Sequence, residues 1–348
     1  MNPYVLMILL SSLGLGTTLT FASSHWLLAW MGLEINTLAI LPLMAQQHHP
    51  RAVEATTKYF LTQATAAAMI LFAATTNAWA TGEWGIDNLT HPLASSLAIM
   101  ALALKVGLAP MHFWMPEVLQ GLDLMTGLIL STWQKLAPFA LIIQMAPNTN
   151  PALLTALGLL STLVGGWGGL NQTQLRKIMA YSSIAHMGWM LITLQYAPQL
   201  TLIALGMYIF MTSTAFLSLK MASATKISTL TTAWSKSPIL APTTALALLS
   251  LGGLPPLTGF MPKWLILQEL TKQDLPTTAT IMAMAALLSL YFYLRLCYAM
   301  ALTISPNTTN ASTPWRIHTT QSTLALSLMV TATLGLLPIA PAILSLPT

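Results

Sequence analysis

The sequence predicts an all-α, polytopic membrane protein with about eleven transmembrane helices. Of its 348 residues, 55% are hydrophobic and only 6% are charged, whereas an ordinary soluble domain carries roughly 25% charged residues. Windows of about twenty apolar residues recur from end to end, which is the length that a helix needs to cross a bilayer. These two observations exclude the soluble fold classes.

Short polar connections separate the predicted helices. Two of the helices are too long for one straight pass, and each contains helix-breaking residues. Proline removes a backbone donor and clashes with the preceding turn, so we expect the chain to unwind at Gly107 and Pro110 in the fourth helix, and at Gly252, Gly253, Pro255 and Pro256 in the ninth. The helices are predicted near residues 3–21, 25–45, 57–79, 93–120, 124–146, 151–170, 175–195, 200–220, 238–271, 277–300 and 320–345.

The sequence offers no recognisable means of holding a cofactor, a metal or a nucleic acid. Its single cysteine, Cys297, cannot form an internal disulfide, a zinc cage or an iron–sulfur site. There is no P-loop pattern, and thirteen bases against eight acids do not indicate nucleic-acid binding. No base precedes Arg51, so the first apolar window is expected to be a membrane helix rather than a targeting peptide.

The loop charges predict an orientation. With eleven helices, bases collect on the side that holds the N-terminus and acids on the other, as the positive-inside rule describes. The N-terminus is therefore expected in the cytoplasm or matrix and the C-terminus on the opposite side. The first side receives Arg51, Lys58, Arg176, Lys177, Lys220, Lys226, Lys236 and Arg316 with Glu54 and Asp123, and the second receives Glu83, Asp87 and Asp274 with Lys272.

An internal repeat relates the two broken helices. Residues 107–117 read GLAPMHFWMPE and residues 253–263 read GLPPLTGFMPK, with five identities at a constant offset of 146. We therefore predict two five-helix units, residues 1–147 and 150–302, followed by a loop and a last helix over 303–348. Five is an odd number, so the second unit is expected to insert with inverted orientation, an architecture typical of secondary transporters.

Four charged side chains lie where the membrane interior is expected. Each costs about 2.5–3.5 kcal/mol to insert and normally marks a functional path. One carboxylate cannot neutralise three lysines, so some of the lysines are expected to be neutral part of the time and to carry protons. The charged residues are Glu34, Lys105, Lys135 and Lys263, and His112 and His186 could bridge them. Structural ion pairing between helices, and ordinary packing of the histidines, are the alternative interpretations.

Five stretches together carry a resemblance to a known family. They read WMGLEINTLAILPLM, ALKVGLAPMHFWMPEVLQG, STWQKLAPFA, RKIMAYSSIAHMGWM and GGLPPLTGFMPKW. Over its whole length, the chain resembles the animal-type, antiporter-like chain 2 family of mitochondrial NADH–ubiquinone oxidoreductase (complex I). Bacterial relatives have fourteen helices and the animal form lacks the first three, in agreement with the predicted eleven.

The resemblance implies a proton-translocating subunit of the membrane arm, coupled to quinone reduction elsewhere in the complex. It implies that Glu34 pairs with Lys105, that Lys135 leads onward and that Lys263 ends the path, with His112 and His186 on the same polar axis. It also implies that the chain is an enzyme only as part of the proton-translocating NADH:ubiquinone reductase. The flavin and the iron–sulfur clusters are then expected in partner subunits, with no cofactor on this chain.

The resemblance further implies a multi-pass protein of the mitochondrial inner membrane, with its N-terminus in the matrix and its C-terminus in the intermembrane space. Its expected partners are other membrane-arm subunits in an obligate hetero-oligomer, and lipid, with cardiolipin a candidate. Two alternatives remain open. A cation/proton antiporter subunit would usually keep all fourteen helices, and a non-pumping scaffold would have no reason to retain three lysines within the membrane.

Overall fold

The computed structural model describes residues 2–46, 48–236, 239–302, 323–339 and 342. All regular elements within these ranges are helical, and two isolated β-bridges are the only extended pairings there. The chain divides into two compact units, Met1–Leu160 and Ser161–Thr348. The expected all-α class is therefore confirmed.

Among the described residues, the first unit contains seven α-helices and about half of an eighth. Proline opens several of them, because the first helical turn does not need the missing N–H group. The helix α3 ends at Gly82 in the left-handed conformation, with φ of 77°, which glycine adopts readily. The elements are α1 (Pro3–Ala22), α2 (Trp26–Met44), α3 (Pro50–Thr81), α4 (Pro92–Val106), α5 (Trp114–Gly121), α6 (Leu124–Ser131), α7 (Trp133–Met145) and α8 (Pro151–Gly169), which continues into the second unit.

The second unit combines long apolar helices with shorter ones. Its described elements are α9 (Leu175–Thr193), α10 (Pro198–Met221), α11 (Ile227–Thr231), α12 (Ala233–Lys236), α13 (Leu240–Gly252), α14 (Phe260–Lys272), α15 (Pro276–Leu302) and α16 (Leu324–Gly335). The prediction of a last helix over 320–345 lies partly outside the described residues.

Seven of the described helical segments are long and apolar enough to cross a membrane: α1, α2, α3, the pair α6–α7, α8, α10 and α15. Three shorter apolar helices, α4, α13 and α16, accompany them. The helix α9 is not among the seven, and its polar residues include Arg176 and Lys177. The chain is therefore a multi-pass membrane protein, and the number eleven stays a prediction.

Both long helices are interrupted at their Gly/Pro segments. The helix α4 ends at Val106 and α5 begins at Trp114, while α13 ends at Gly252 and α14 begins at Phe260. The residue after each first half, Gly107 or Gly253, has a positive φ of 84° or 78°. Beyond each glycine, a leucine N–H donates back across the last turn, at 2.9 Å from Leu108 to Ala103 O and at 3.4 Å from Leu254 to Leu249 O. Such glycine-terminated turns satisfy carbonyls that a helix end leaves without partners.

The helix predicted over 124–146 is not continuous. It is interrupted at Thr132, between α6 and α7, where φ is −110° and ψ is −69°. The hydroxyl of Thr132 donates to Leu128 O at 2.7 Å, and threonine side chains bonded to the preceding turn bend helices. The two parts still make one span, Leu124–Asn148.

Glycines allow α1 and α2 to cross closely. A Cβ atom on Gly16 would lie 2.9 Å from Gly32 O and would overlap the Asn36 side chain, while one on Gly32 would lie 2.6 Å from the methyl group of Thr20. Real Cβ atoms essentially never come so close to other heavy atoms. Small residues at helix contacts of this kind let backbones approach within the membrane.

The C-terminal end of α8 is also built from glycines. A Cβ atom on Gly165 would lie 2.7 Å from the backbone nitrogen of Ala185 in α9, and one on Gly169 would lie 2.8 Å from the ring of Phe292 in α15. Two different helices therefore pack directly against the backbone of α8.

Candidate functional site

A small buried cavity in the first unit gathers two of the three candidate lysines. Its volume is about 10 Å³, which is about the space that one water molecule needs. Lys105 is 6% exposed and Lys135 is 2% exposed, and both line this cavity. The other polar side chains in its wall are Asn36, Thr37, Tyr59, Gln63 and Gln134.

Lys105 lies in the last turn of α4, next to the glycine that ends the helix. The C-terminal end of a helix dipole stabilises a cation. An ammonium group nevertheless carries three donors, and no hydrogen-bond acceptor of the protein lies within reach of Lys105 Nζ in the described residues. Lys105 Nζ is thus buried at the end of α4 without a direct hydrogen bond to any described residue.

Glu34 lies beside the same cavity. It is half-buried near the middle of α2, and Thr37 donates its hydroxyl to Glu34 Oε2 at 3.1 Å. Thr37 and Lys105 both line the cavity, so the carboxylate and the lysine belong to one site. Lys105 Nζ has no hydrogen-bond partner within the described chain, so it makes no hydrogen bond with the Glu34 carboxylate.

Lys135 stands in the first turn of α7. Its neighbour Gln134 donates from Nε2 to Asn36 O at 3.3 Å, which ties the start of α7 to α2 two residues beyond Glu34. The fold therefore brings Glu34, Lys105 and Lys135 into one region of the first unit.

Lys263 lies in the first turn of α14, in the second unit. It is 9% exposed, and its Nζ donates to Gly252 O at 2.7 Å. This bond satisfies a carbonyl at the end of α13, so a lysine from the second half of the broken helix caps the first half. Lys105 likewise lies at the C-terminal end of the first half of a broken helix. Unlike Lys263, it is part of that first half, α4.

His186 shares a narrow crevice with Lys263. Ser182 and Tyr293 line the same crevice, and their hydroxyl groups are hydrogen-bonded to each other. The His186 ring lies 5.7 Å from the ring of Tyr208, measured between centroids. The second unit thus places the predicted histidine and the predicted lysine side by side.

His112 has a different setting, in the loop between α4 and α5. It is 5% exposed, and its Nδ1 lies 3.3 Å from Pro110 O. It is not part of the wall of the cavity that holds Lys105 and Lys135. Among the residues that the structure describes, no three His, Cys, Asp or Glu side chains gather at a potential metal site.

Sequence reasoning missed the neutral polar side chains of the cavity, namely Asn36, Gln63 and Gln134. A signal existed, because each interrupts an apolar helix and buried amides are uncommon without a partner. The candidate residues within the spans were chosen for a charged or imidazole side chain, and the amides have neither.

Two family models match the chain. The model described as the transmembrane region of the NADH:quinone oxidoreductase/Mrp antiporter family matches residues 23–289. The model for the C-terminus of NADH dehydrogenase subunit 2 matches residues 290–344.

Curated relatives match over full length. The NADH-ubiquinone oxidoreductase chain 2 of Formosania lacustris is 88% identical over 346 residues, which cover 99% of each chain. The chain belongs to the NADH-ubiquinone oxidoreductase chain 2 family. The chain 2 protein of Carassius auratus is 81% identical over the whole of both chains, so the family assignment holds for the entire sequence.

Solved structures agree with the chain 2 assignment. A chain of respiratory complex I from Thermus thermophilus, determined with bound aureothin, is 31% identical, with a TM-score of 0.85 over 97% of this chain and 78% of that one. A chain of the Mrp complex from Dietzia sp. is 15% identical, with a TM-score of 0.81 over 97% of this chain and 75% of that one. The latter shares the fold with this member of the chain 2 family.

Proposed function

We propose that this chain is a membrane-arm subunit of respiratory NADH:ubiquinone oxidoreductase that translocates protons through buried Glu, Lys and His side chains. The observation that carries the proposal is the cavity shared by Lys105 and Lys135. The Glu34 carboxylate accepts a hydrogen bond from Thr37, which lines the same cavity. Two buried lysines around a space of about one water can exchange a proton through that water.

Within the first unit, Glu34 controls the site. A carboxylate that approaches Lys105 favours its ammonium form, and one that withdraws favours release of the proton. Two unit charges about 7 Å apart, in an effective dielectric of about 20, interact by about 2.4 kcal/mol. Movement of α2 changes this interaction, and the bond from Gln134 to Asn36 O links the same movement to the start of α7.

Within the second unit, Lys263 and His186 form the corresponding station. The Lys263 ammonium is held on the Gly252 carbonyl, and His186 stands in the same crevice. Histidine changes charge near neutral pH more readily than other side chains, so it suits proton exchange with a neighbouring lysine. His112 is proposed as a further station in the loop of the first broken helix.

The setting proposed for this activity is the mitochondrial inner membrane. The N-terminus faces the matrix and the C-terminus the intermembrane space, as the distribution of loop charges predicts. Partners are other membrane-arm subunits in an obligate hetero-oligomer, together with lipid. The redox centres, flavin and iron–sulfur clusters, belong to partner subunits, and this chain contributes catalysis only as part of the whole enzyme.

The organisation proposed for the chain is two repeats, residues 1–147 and 150–302. The matched Gly/Pro segments support this organisation. In each segment, the first half of the broken helix ends at a glycine with positive φ. The sister activity of cation/proton antiport uses the same fold, but the chain 2 C-terminal model over residues 290–344 favours the respiratory assignment.

The proposed function is tested by replacing Lys105, Lys135 and Lys263 singly with methionine in the intact complex, reconstituted in liposomes. Methionine keeps much of the side-chain length without the ionisable group. We expect each variant to assemble and to lower the number of protons pumped per electron. An assembled set of variants that all pump with an unchanged ratio would identify the chain as a scaffold.

A further inference from the structure

Two buried amides in the first unit have no role in the lysine mechanism. Asn36 is 2% exposed and Gln63 is 3% exposed, and both line the cavity beside Lys105. Within the described chain, no hydrogen-bond partner reaches Asn36 Oδ1, Asn36 Nδ2 or Gln63 Nε2. Leaving a buried polar atom without a partner is costly, so such atoms beside one cavity require an explanation.

The chemistry of these atoms is complementary to water. Gln63 Nε2 and Lys105 Nζ are donors, while Asn36 offers an acceptor and a donor. One water molecule accepts two hydrogen bonds and donates two, and buried waters typically make about three. The cavity of about 10 Å³ fits about one such molecule.

The position of Asn36 is fixed from two directions. Its side chain packs on Gly16 of α1, where a Cβ atom would overlap it. Its backbone carbonyl accepts the hydrogen bond from Gln134 at the start of α7. The Asn36 side chain is thus held in place while its amide has no hydrogen-bond partner within the described chain, and such an amide can bind a small polar ligand.

We propose that Asn36 and Gln63 bind one ordered water on Lys105 and that they act as positioning residues for proton exchange. The water site is inferred from geometry alone, whereas its part in proton exchange rests on the proposed function. Gln63 and Lys105 donate to the water, and the water donates to Asn36 Oδ1. One O–H bond of the water then stays available to pass a proton along the cavity.

The test is a hydrated structure of the intact complex, together with the proton-to-electron ratio, for Gln63→Met and Gln63→His. Methionine keeps the length without a hydrogen-bond donor, and histidine restores a donor. The matched control is Thr65→Val, because Thr65 is exposed on the same helix and its hydroxyl donates to Thr62 O of the preceding turn. Gln63→Met is expected to lose the water next to Lys105 and to pump fewer protons per electron, Gln63→His to regain both, and Thr65→Val to match the parent.

Two outcomes overturn the inference. One is ordered water that remains beside Lys105 in Gln63→Met, and the other is an assembled Gln63→Met complex that pumps with the parental ratio. The variant Lys105→Met distinguishes failure of the water site from failure of the proposed function. If Lys105→Met lowers pumping while Gln63→Met does not, only the water site is wrong, whereas normal pumping by both variants rejects the relay itself.

Discussion

At the scale of single residues, the proposed function gives Glu34 the main control of the site. Its carboxylate makes no hydrogen bond with Lys105 Nζ, so the two groups would interact by charge alone. An interaction of this kind varies smoothly with distance, whereas a closed salt bridge would have to break. The separation therefore suits a group whose influence must be raised and lowered during turnover.

Replacing Glu34 with Gln is expected to lower the proton-to-electron ratio of the assembled complex while electron transfer is retained. Glutamine keeps the size of the side chain and can still accept from Thr37, but it removes the charge that acts on Lys105. The measurement is proton uptake against NADH oxidation in liposomes, with complex abundance on native gels as the assembly control. An unchanged ratio in an assembled Glu34→Gln enzyme would mean that the charge is structural.

The sequence could identify the charged residues of the site but not all of their surroundings. Burial of a charge is costly in any membrane helix, so Glu34 and the three lysines stand out without a structure. The surroundings of Asn36 and Gln63 depend on how α1, α2, α3 and α4 pack. No local sequence pattern predicts that packing.

At the scale of elements, the broken helices depend on one glycine each. In α13–α14, Gly253 has φ of 78°, and a Cβ atom there would lie 2.8 Å from Lys263 Cδ and 3.0 Å from Nζ. The adjacent Gly252 would meet only ordinary contacts at 3.6 Å or more. The two neighbours thus differ in both backbone conformation and available space.

Gly253→Ala is expected to destabilise the chain and Gly252→Ala to be nearly neutral. The left-handed conformation costs an L residue about 1–2 kcal/mol, and the new methyl group would push Lys263 from the Gly252 carbonyl. Thermal stability and abundance of the intact complex measure the difference. Equal stability of the Gly253→Ala and Gly252→Ala complexes would contradict the role given to Gly253 in the helix break.

A second pair of glycines tests the contact between α1 and α2. Gly16→Ala places a methyl group against Gly32 O and Asn36, whereas Gly14→Ala meets nothing within 4 Å. Overpacking of this kind costs about 1–3 kcal/mol. We therefore expect a lower melting temperature for the Gly16→Ala complex and a parental one for Gly14→Ala. A parental melting temperature for both variants would show that α1 and α2 can move apart without loss of stability.

Hydrophobicity located the helices better than it located their ends. The third helix was predicted over 57–79, but α3 begins at Pro50. Its first two turns are polar and therefore lay outside the apolar window. They are held by Lys58, whose Nζ lies 2.7 Å from Glu54 and 2.8 Å from Glu117 of α5. The interruption at Thr132 was missed because threonine is common in continuous membrane helices as well.

At the scale of the whole molecule, the predicted orientation can be tested on one helix. The helix α3 has 32 residues, which is more than the roughly 20 needed to cross a bilayer, so its ends are expected on opposite sides. Arg51 and Glu83 are both exposed, the former at its start and the latter just beyond its end.

Arg51→Cys is expected to react with a membrane-impermeant maleimide from the matrix side only, and Glu83→Cys from the intermembrane side only. The positive-inside rule places the basic end in the matrix. Labelling is compared in intact mitoplasts and inverted vesicles, with the parent chain, which contains only Cys297, as background. The reverse pattern would invert the proposed topology.

The glycine-built end of α8 has a consequence for how the chain tolerates variation. Gly165 packs against Ala185 of α9 and Gly169 against Phe292 of α15, and neither glycine lines a cavity or crevice of the candidate site. A single added methyl group would displace α9 or α15, each of which carries a side chain of the Lys263 crevice. Substitutions at this end of α8 are therefore expected to impair proton transfer at a distance, so that harmful variants cluster in a segment with no chemistry of its own.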